Sequence, residues 1–111
     1  MSGFRADEAA AFILSHFRAG TMGLFPGDGP ESRADAYAVQ DRVVGALGGA
    51  CGWKVGRGGD DPEPYCAPLP RVRQLTGGDR YAPHDGKALV EAELGFRLGR
   101  DVPDWASVGD R

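Results

Sequence analysis

Residues Leu89–Leu98, with the sequence LVEAELGFRL, are the most informative stretch of this chain for its fold. Apolar residues alternate here with charged residues or glycine. Side chains at alternate positions of a β-strand point to opposite faces. A strand over this stretch would therefore have one apolar face and one polar face, the latter carrying Glu91, Glu93 and Arg97.

A helix is the alternative for the same ten residues. It would stack Val90, Leu94 and Leu98 on one side, and Ala, Glu and Leu all favour helix. It would leave Ala92 and Phe96 away from that stripe. Because a period of two explains more of the apolar positions, we predict a strand.

Two amphipathic helices are predicted earlier in the chain. The first covers about Asp7 to Ala19, with Asp7 as the expected N-cap and Gly20 at the position where helices often end. Its apolar residues recur at i, i+3, i+4 and i+7, which is the spacing of one helix face. They are Ala10, Ile13, Leu14 and Phe17.

The second helix is expected to begin near Ser32. Ser32 and Asp35 have the spacing of a capping box, with Asp in place of the usual Glu. Gly48-Gly49 ends the pattern. Its apolar stripe consists of Ala36, Val39, Val43 and Leu47.

A short strand is predicted over Cys51–Gly56. Trp53 and Val55 would share one of its faces, and Lys54 would point to the other. The segment Ala67–Arg71 contains two prolines, which favour an extended conformation over a helix. The sequence therefore predicts an α+β fold, with two N-terminal helices followed by strands.

Composition excludes several functional classes. The formal net charge is -3, and the lysines and arginines are scattered, so the sequence indicates no nucleic-acid partner. No apolar run is long enough for a membrane span and no polybasic stretch suggests a membrane surface. The first residues lack the pattern of a secretory signal, which favours a cytoplasmic location.

The cysteines and histidines are not predicted to carry chemistry. Cys51 and Cys66 match no zinc or redox motif and are interpreted as free thiols, with a disulfide as the alternative. His16 lies beside the apolar stripe of the first helix, as a boundary residue would. His84 lies in a Pro-His-Asp-Gly turn signature.

Glu91 and Glu93 are the first candidates for a functional site. On a strand their side chains project from the same face, near enough to bind one cation. Carboxylate oxygens are suitable ligands for a hard cation such as Mg2+ or Mn2+. A Glu-x-Glu pair alone is, however, more often an ordinary solvated face.

Three motifs in order resemble one known family. They are DAYAVQ at Asp35–Gln40, GWKVG at Gly52–Gly56 and VEAELGFRLGRDVP at Val90–Pro103. Together they resemble the 2-keto-4-pentenoate hydratase and 4-oxalocrotonate decarboxylase family, within the fumarylacetoacetate hydrolase superfamily.

The resemblance implies a role for three residues. Glu91 and Glu93 match the two glutamates of the family's E-x-E metal motif, so the implied cofactor is Mg2+ or Mn2+. Lys54 matches the lysine of the G-x-K-x-G segment, which lines the substrate pocket and makes Lys54 the candidate catalytic residue. The implied substrate is a small 2-keto acid, which is hydrated or decarboxylated through an enolate.

The resemblance also implies an architecture. Residues 1–50 would form an N-terminal helical region, and residues 51–111 would begin a mixed β-roll of the fumarylacetoacetate hydrolase type. The family's third acidic ligand lies downstream of the E-x-E motif, and no aspartate in the tail occupies its position. We therefore expect a truncated roll with an incomplete metal site, and a homo-oligomer or a partner chain. A catalytically silent homologue or interaction module that needs a second chain is the alternative function.

Overall fold

The computed structural model describes residues 3–83 and 87–101. Within these residues the chain is a small α+β arrangement of two helices and one two-stranded antiparallel sheet. This confirms the predicted fold class at that level. The elements are α1 at Ala6–Ala19, α2 at Arg33–Ala46, β1 at Ala50–Gly56, β2 at Tyr65–Pro70 and a 3-10 turn at Arg71–Arg73.

Helix α1 ends as predicted but begins differently. Its N-cap is Arg5, whose side chain makes no capping hydrogen bond. The prediction that Asp7 is the cap is therefore wrong. Asp7 lies in the first turn, where a carboxylate is favoured by the helix dipole, and it forms an ion pair with Arg42 of α2. Gly20 ends the helix in the left-handed conformation, with φ of 66°, which glycine adopts without strain.

Helix α2 confirms the predicted capping box. The Ser32 hydroxyl accepts a hydrogen bond from the Asp35 backbone N–H at 3.1 Å. The Asp35 carboxylate accepts one from the Ser32 N–H, also at 3.1 Å. Beyond the helix, Gly48 and Gly49 have φ of 88° and 97°, so these two residues turn the chain back toward β1.

The packing of α1 against α2 supplies the core of the described residues. Its buried members are Ala9, Ala10 and Val39. Two alanines let the helix backbones approach closely, and Val39 fills the space between them. The residues that pack around this core are Phe4, Ala6, Phe25 and Val43.

Neither helix is long and apolar enough to cross a membrane.

The sheet is a hairpin with a bulge. Lys54 pairs with Ala67 and Val55 with Cys66. The register shifts at the start of β1, where Cys51 is the extra residue of a bulge. Both cysteines are free thiols, with Cys51 exposed and Cys66 half-buried.

Polar contacts attach this sheet to α2. The Tyr37 hydroxyl accepts a hydrogen bond from the Cys66 N–H at 3.3 Å. Arg33 donates to the Pro64 carbonyl at 2.9 Å and forms an ion pair with Asp61. The loop between the strands is therefore held against the start of α2, which fixes the position of β1 and of Lys54.

The predicted strand over Leu89–Leu98 is not present. Among the described residues, this segment belongs to no strand. A strand requires a neighbour that completes its backbone hydrogen bonds. Among the described residues the sheet contains β1 and β2 alone, so the segment has no such neighbour. The segment contacts β1 through side chains instead.

Candidate functional site

Lys54 forms ion pairs with both predicted metal ligands. Its Nζ lies 2.6 Å from Glu93 Oε1 and 3.3 Å from Glu91 Oε2. Lys54 comes from the middle of β1, and the glutamates lie 37 and 39 residues further along the chain. The structure therefore brings together the three residues that the sequence singled out, while their roles in chemistry stay predictions.

The spacing of the glutamates explains how both reach one ammonium group. One residue lies between alternate positions, and in an extended chain such positions project to the same side, so Glu91 and Glu93 can both reach Lys54. The prediction of a shared face is thus met by their side chains, although the segment has no strand pairing. The three side chains remain 45% to 68% exposed, so water screens the attraction between them.

Hydrogen bonds change the pKa values of two groups in this cluster, Glu93 and Lys54. The hydrogen bond from Lys54 lowers the pKa of Glu93, and the positive charge of Lys54 acts in the same direction. Hydrogen bonds to Glu93 and then to Glu91 raise the pKa of Lys54, with help from their charges. At neutral pH Lys54 is therefore a full ammonium and Glu93 a full carboxylate.

A cavity of about 520 Å³ lies beside this cluster. Lys54 and Glu93 contribute its charged groups. The rest of its wall is mainly apolar, with Trp53 and Val55 from β1 and Leu94 and Phe96 from the facing segment. A few polar groups in an apolar wall are typical of a site for a small organic ligand.

Trp53, Leu94 and Phe96 were not predicted to belong to the site. The period-two pattern predicts that they lie on the faces opposite to Lys54 and Glu93. In the structure they line the same cavity as Lys54 and Glu93, and segment 89–98 forms no strand. The sequence pattern gives no indication of this arrangement.

The donor set fits part of a site for Mg2+ or Mn2+. Glu91 and Glu93 offer carboxylate oxygens, the ligand type that these hard cations prefer. The space between them is already used by a positive group, the ammonium of Lys54. Across residues 3–83 and 87–101, no cluster of three or more Asp, Glu, His or Cys side chains could hold a metal ion. Two glutamates are thus an incomplete ligand set.

Among the described residues, no other acidic candidate forms a metal-binding cluster with this pair. Asp101 is exposed, and Asp104 and Asp110 lie outside the described residues. In the loop before β2, Asp61 pairs with Arg33 and so has a structural role.

His16 does not join it either. His16 is half-buried on α1, where its Nδ1 lies 2.7 Å from the Thr21 hydroxyl and its ring is 4.5 Å from that of Phe12. These contacts are those of the predicted boundary residue. His84 lies outside the described residues.

Comparison with protein-family models, with curated proteins and with solved structures gives no match for this chain.

Proposed function

We propose that this chain carries part of the active site of a metal-dependent lyase that acts on a small 2-keto acid, as a hydratase of the 2-keto-4-pentenoate type. The supporting observation is the contact of Lys54 with both Glu91 and Glu93. Two of the three motifs that suggested the family, Gly52–Gly56 and Val90–Pro103, supply these residues from distant parts of the chain. A chance resemblance would not require their side chains to meet.

Each of the three side chains has a defined task in this proposal. Glu91 and Glu93 would hold a divalent cation together with further oxygen ligands. Such a cation would supply polarisation of the keto oxygen and stabilisation of the negative charge that develops there. The ammonium of Lys54 would pair with the substrate carboxylate once the glutamates no longer hold it.

The cavity suits such a substrate. A 2-keto acid has a charged end and a short carbon chain. Lys54 lies at the charged side of the cavity, and the apolar wall of Trp53, Leu94 and Phe96 can cover the carbon chain. Water then adds to the conjugated part of the substrate, or carbon dioxide leaves. Both reactions need the same stabilised oxygen.

The proposal includes the larger fold. The segment Leu89–Leu98 would become a strand of a β-roll of the fumarylacetoacetate hydrolase type once further strands pair with it. Those strands, and the missing acidic ligand, would come from residues outside the described part or from a second chain.

An interaction module is the second candidate function. It is favoured by the exposed apolar side chains of Leu89–Leu98, which are typical of a surface that binds another chain. In this case Lys54, Glu91 and Glu93 would be a surface ion-pair cluster without catalysis.

Turnover of a 2-keto-enoate separates the two candidates. We expect a form of the protein that also contains the further strands and the additional acidic ligand to consume the conjugated substrate with Mg2+, followed by loss of its ultraviolet absorbance, and EDTA to stop the reaction. Lys54→Met should lower kcat/KM by roughly a hundredfold, because it removes the partner of the substrate carboxylate. Lys87→Met is the matched control, since Lys87 is an exposed lysine outside the cluster.

Two results would count against the enzyme. One is the absence of turnover by such a completed, folded and Mg2+-loaded protein, which favours the interaction module. The other is an equal loss of activity in Lys54→Met and Lys87→Met, which would show that general charge, and not this site, governs the reaction.

A further inference from the structure

A second cavity, which we call the Arg73 cavity, lies at the C-terminal half of α1. It has a volume of about 360 Å³ and is bordered by α1, residues 21–23 and the 3-10 turn. Binding sites for small molecules commonly have volumes of about 300 to 1,000 Å³. None of the residues that line the Arg73 cavity also lines the cavity beside Lys54. It is therefore a separate candidate for a ligand site.

Arg73 supplies a positive charge to this cavity. Its Cζ lies 4.4 Å from the centroid of the Phe17 ring, and the attraction between a cation and a ring face holds the guanidinium there. Within residues 3–83 and 87–101, Arg73 forms no ion pair. Its charge and its planar set of N–H donors are thus available to a carboxylate, which a guanidinium binds through two hydrogen bonds.

His16 adds a second polar group. Its Nδ1 lies 2.7 Å from the Thr21 hydroxyl oxygen, and the Thr21 N–H donates to the His16 carbonyl at 3.0 Å. With the Thr21 hydroxyl as the donor to Nδ1, the other ring nitrogen, Nε2, carries the proton and can donate to an anion. A Cβ atom at Gly23 would lie 2.8 Å from Nε2, so the lack of a side chain at Gly23 leaves this nitrogen uncovered.

Aromatic rings form much of the remaining wall. The Phe12 ring lies 4.5 Å from the His16 ring at an angle of 59°, and Phe17 lies under the guanidinium. Rings in tilted or offset contact attract a further aromatic ring. Met22 also lines the cavity and is 81% exposed, and its flexible thioether is suited to pack on an aromatic ligand.

The surroundings of the cavity favour an anion over a cation. No acidic residue is among those of the described part that line it. Arg18 lies in the last turn of α1, and Arg71 and Arg73 lie in the 3-10 turn. The carbonyls of His16 and Phe17 accept hydrogen bonds from the backbone that follows the helix, which reduces the negative potential that a helix C-terminus would otherwise present.

We propose that the Arg73 cavity binds a small aromatic carboxylate. The carboxylate accepts hydrogen bonds from Arg73 and from His16 Nε2, and the aromatic ring of the ligand packs against Phe12 and Phe17. This binding site goes beyond the proposed function and does not rest on it, because it shares no residue with the Lys54 cluster and needs no divalent cation.

Calorimetric titration of 3-phenylpropionate into the full chain tests this site. We expect saturable binding without added metal. Arg73→Met should weaken it roughly tenfold or more, because it removes charge-assisted hydrogen bonds but keeps an unbranched side chain over Phe17. The neutral analogue 3-phenylpropionamide should bind wild type roughly tenfold more weakly than the carboxylate does. The ring signals of His16 in nuclear magnetic resonance spectra, assigned with His16→Gln, should move as 3-phenylpropionate binds.

Arg18→Met is the matched control. It removes the same charge from the end of α1, but Arg18 does not line the cavity, so affinity should change less than about twofold, since water and salt screen its exposed charge. Lys54→Met should also keep the binding, which separates this site from that of the proposed function. Circular dichroism confirms that each variant is folded.

Four results would overturn the inference. The first is a folded wild-type chain that shows no saturable binding up to the solubility limit of 3-phenylpropionate. The second is equal affinity in wild type and Arg73→Met. The third is an equal loss of affinity in Arg18→Met and Arg73→Met, and the fourth is an amide that binds as tightly as the carboxylate.

Discussion

Val39→Asp is expected to unfold the described part of this protein. Val39 is one of three buried residues between α1 and α2, and Phe25 and Val43 are among the apolar residues packed against this core. Burying a carboxylate in this apolar core costs about 3 kcal/mol or more. The remaining core is two alanines, so little apolar burial is left to offset this loss. The measurement is urea denaturation followed by circular dichroism at 222 nm.

Val72→Asp is the control for this prediction. Val72 lies in the 3-10 turn after β2 and is 59% exposed, so the same substitution there should change the free energy of unfolding by less than about 0.5 kcal/mol. If both variants unfold alike, helix packing is not what stabilises the fold. If neither does, Val39 does not lie in the core.

The second large effect concerns divalent cation affinity. Glu91→Gln/Glu93→Gln keeps the shape and polarity of both side chains but removes their negative charge. We expect Mn2+ affinity to fall by roughly a hundredfold or more, because hard cations depend on charged oxygen ligands. Mn2+ electron paramagnetic resonance measures it directly, since the sharp signal of free Mn2+ disappears on binding.

Lys54→Met should change Mn2+ affinity in the opposite direction. The ammonium competes with a cation for the same two carboxylates. Its removal should therefore strengthen Mn2+ binding roughly fivefold. Glu63→Gln serves as a control, since Glu63 is an exposed glutamate in the loop before β2. Equal Mn2+ binding by wild type and the double glutamine variant would contradict this account of the site.

The helical half of the fold is the part that the sequence predicts well. Helix ends are determined by neighbouring residues, so the capping box of Ser32 and Asp35 and the stop at Gly20 can be recognised locally. The cap at Asp7 was wrong because that carboxylate has a competing partner, Arg42, on the other helix. Nothing near Asp7 in the sequence indicates that partner.

The segment Leu89–Leu98 shows a different limit. Its alternation correctly predicts that Glu91 and Glu93 share a side. Whether such a segment becomes a strand depends on a neighbour that supplies hydrogen bonds, and a local pattern cannot supply one. The ion pairs of the segment are easier to predict than its strand pairing. Lys54 attracts both glutamates through their charge, which needs no backbone hydrogen bonds between strands.

The candidate site was also predictable only in part. The sequence motifs indicated its three charged residues, Lys54, Glu91 and Glu93, and their contact agrees with a shared site. Its apolar wall of Trp53, Leu94 and Phe96 depends on how segment 89–98 lies against β1. Only tertiary contacts determine that arrangement. Sequence patterns therefore identified the polar groups of the cavity and missed its shape.

Binding of a 2-keto acid tests the central claim most directly. We would titrate 2-oxopentanoate, a stable 2-keto acid, into the folded chain by calorimetry with and without saturating Mn2+. We expect 2-oxopentanoate binding that requires Mn2+. This binding should be lost in both Glu91→Gln/Glu93→Gln and Lys54→Met. Binding that is equally strong without Mn2+, or no binding to a folded and Mn2+-loaded chain, would contradict it.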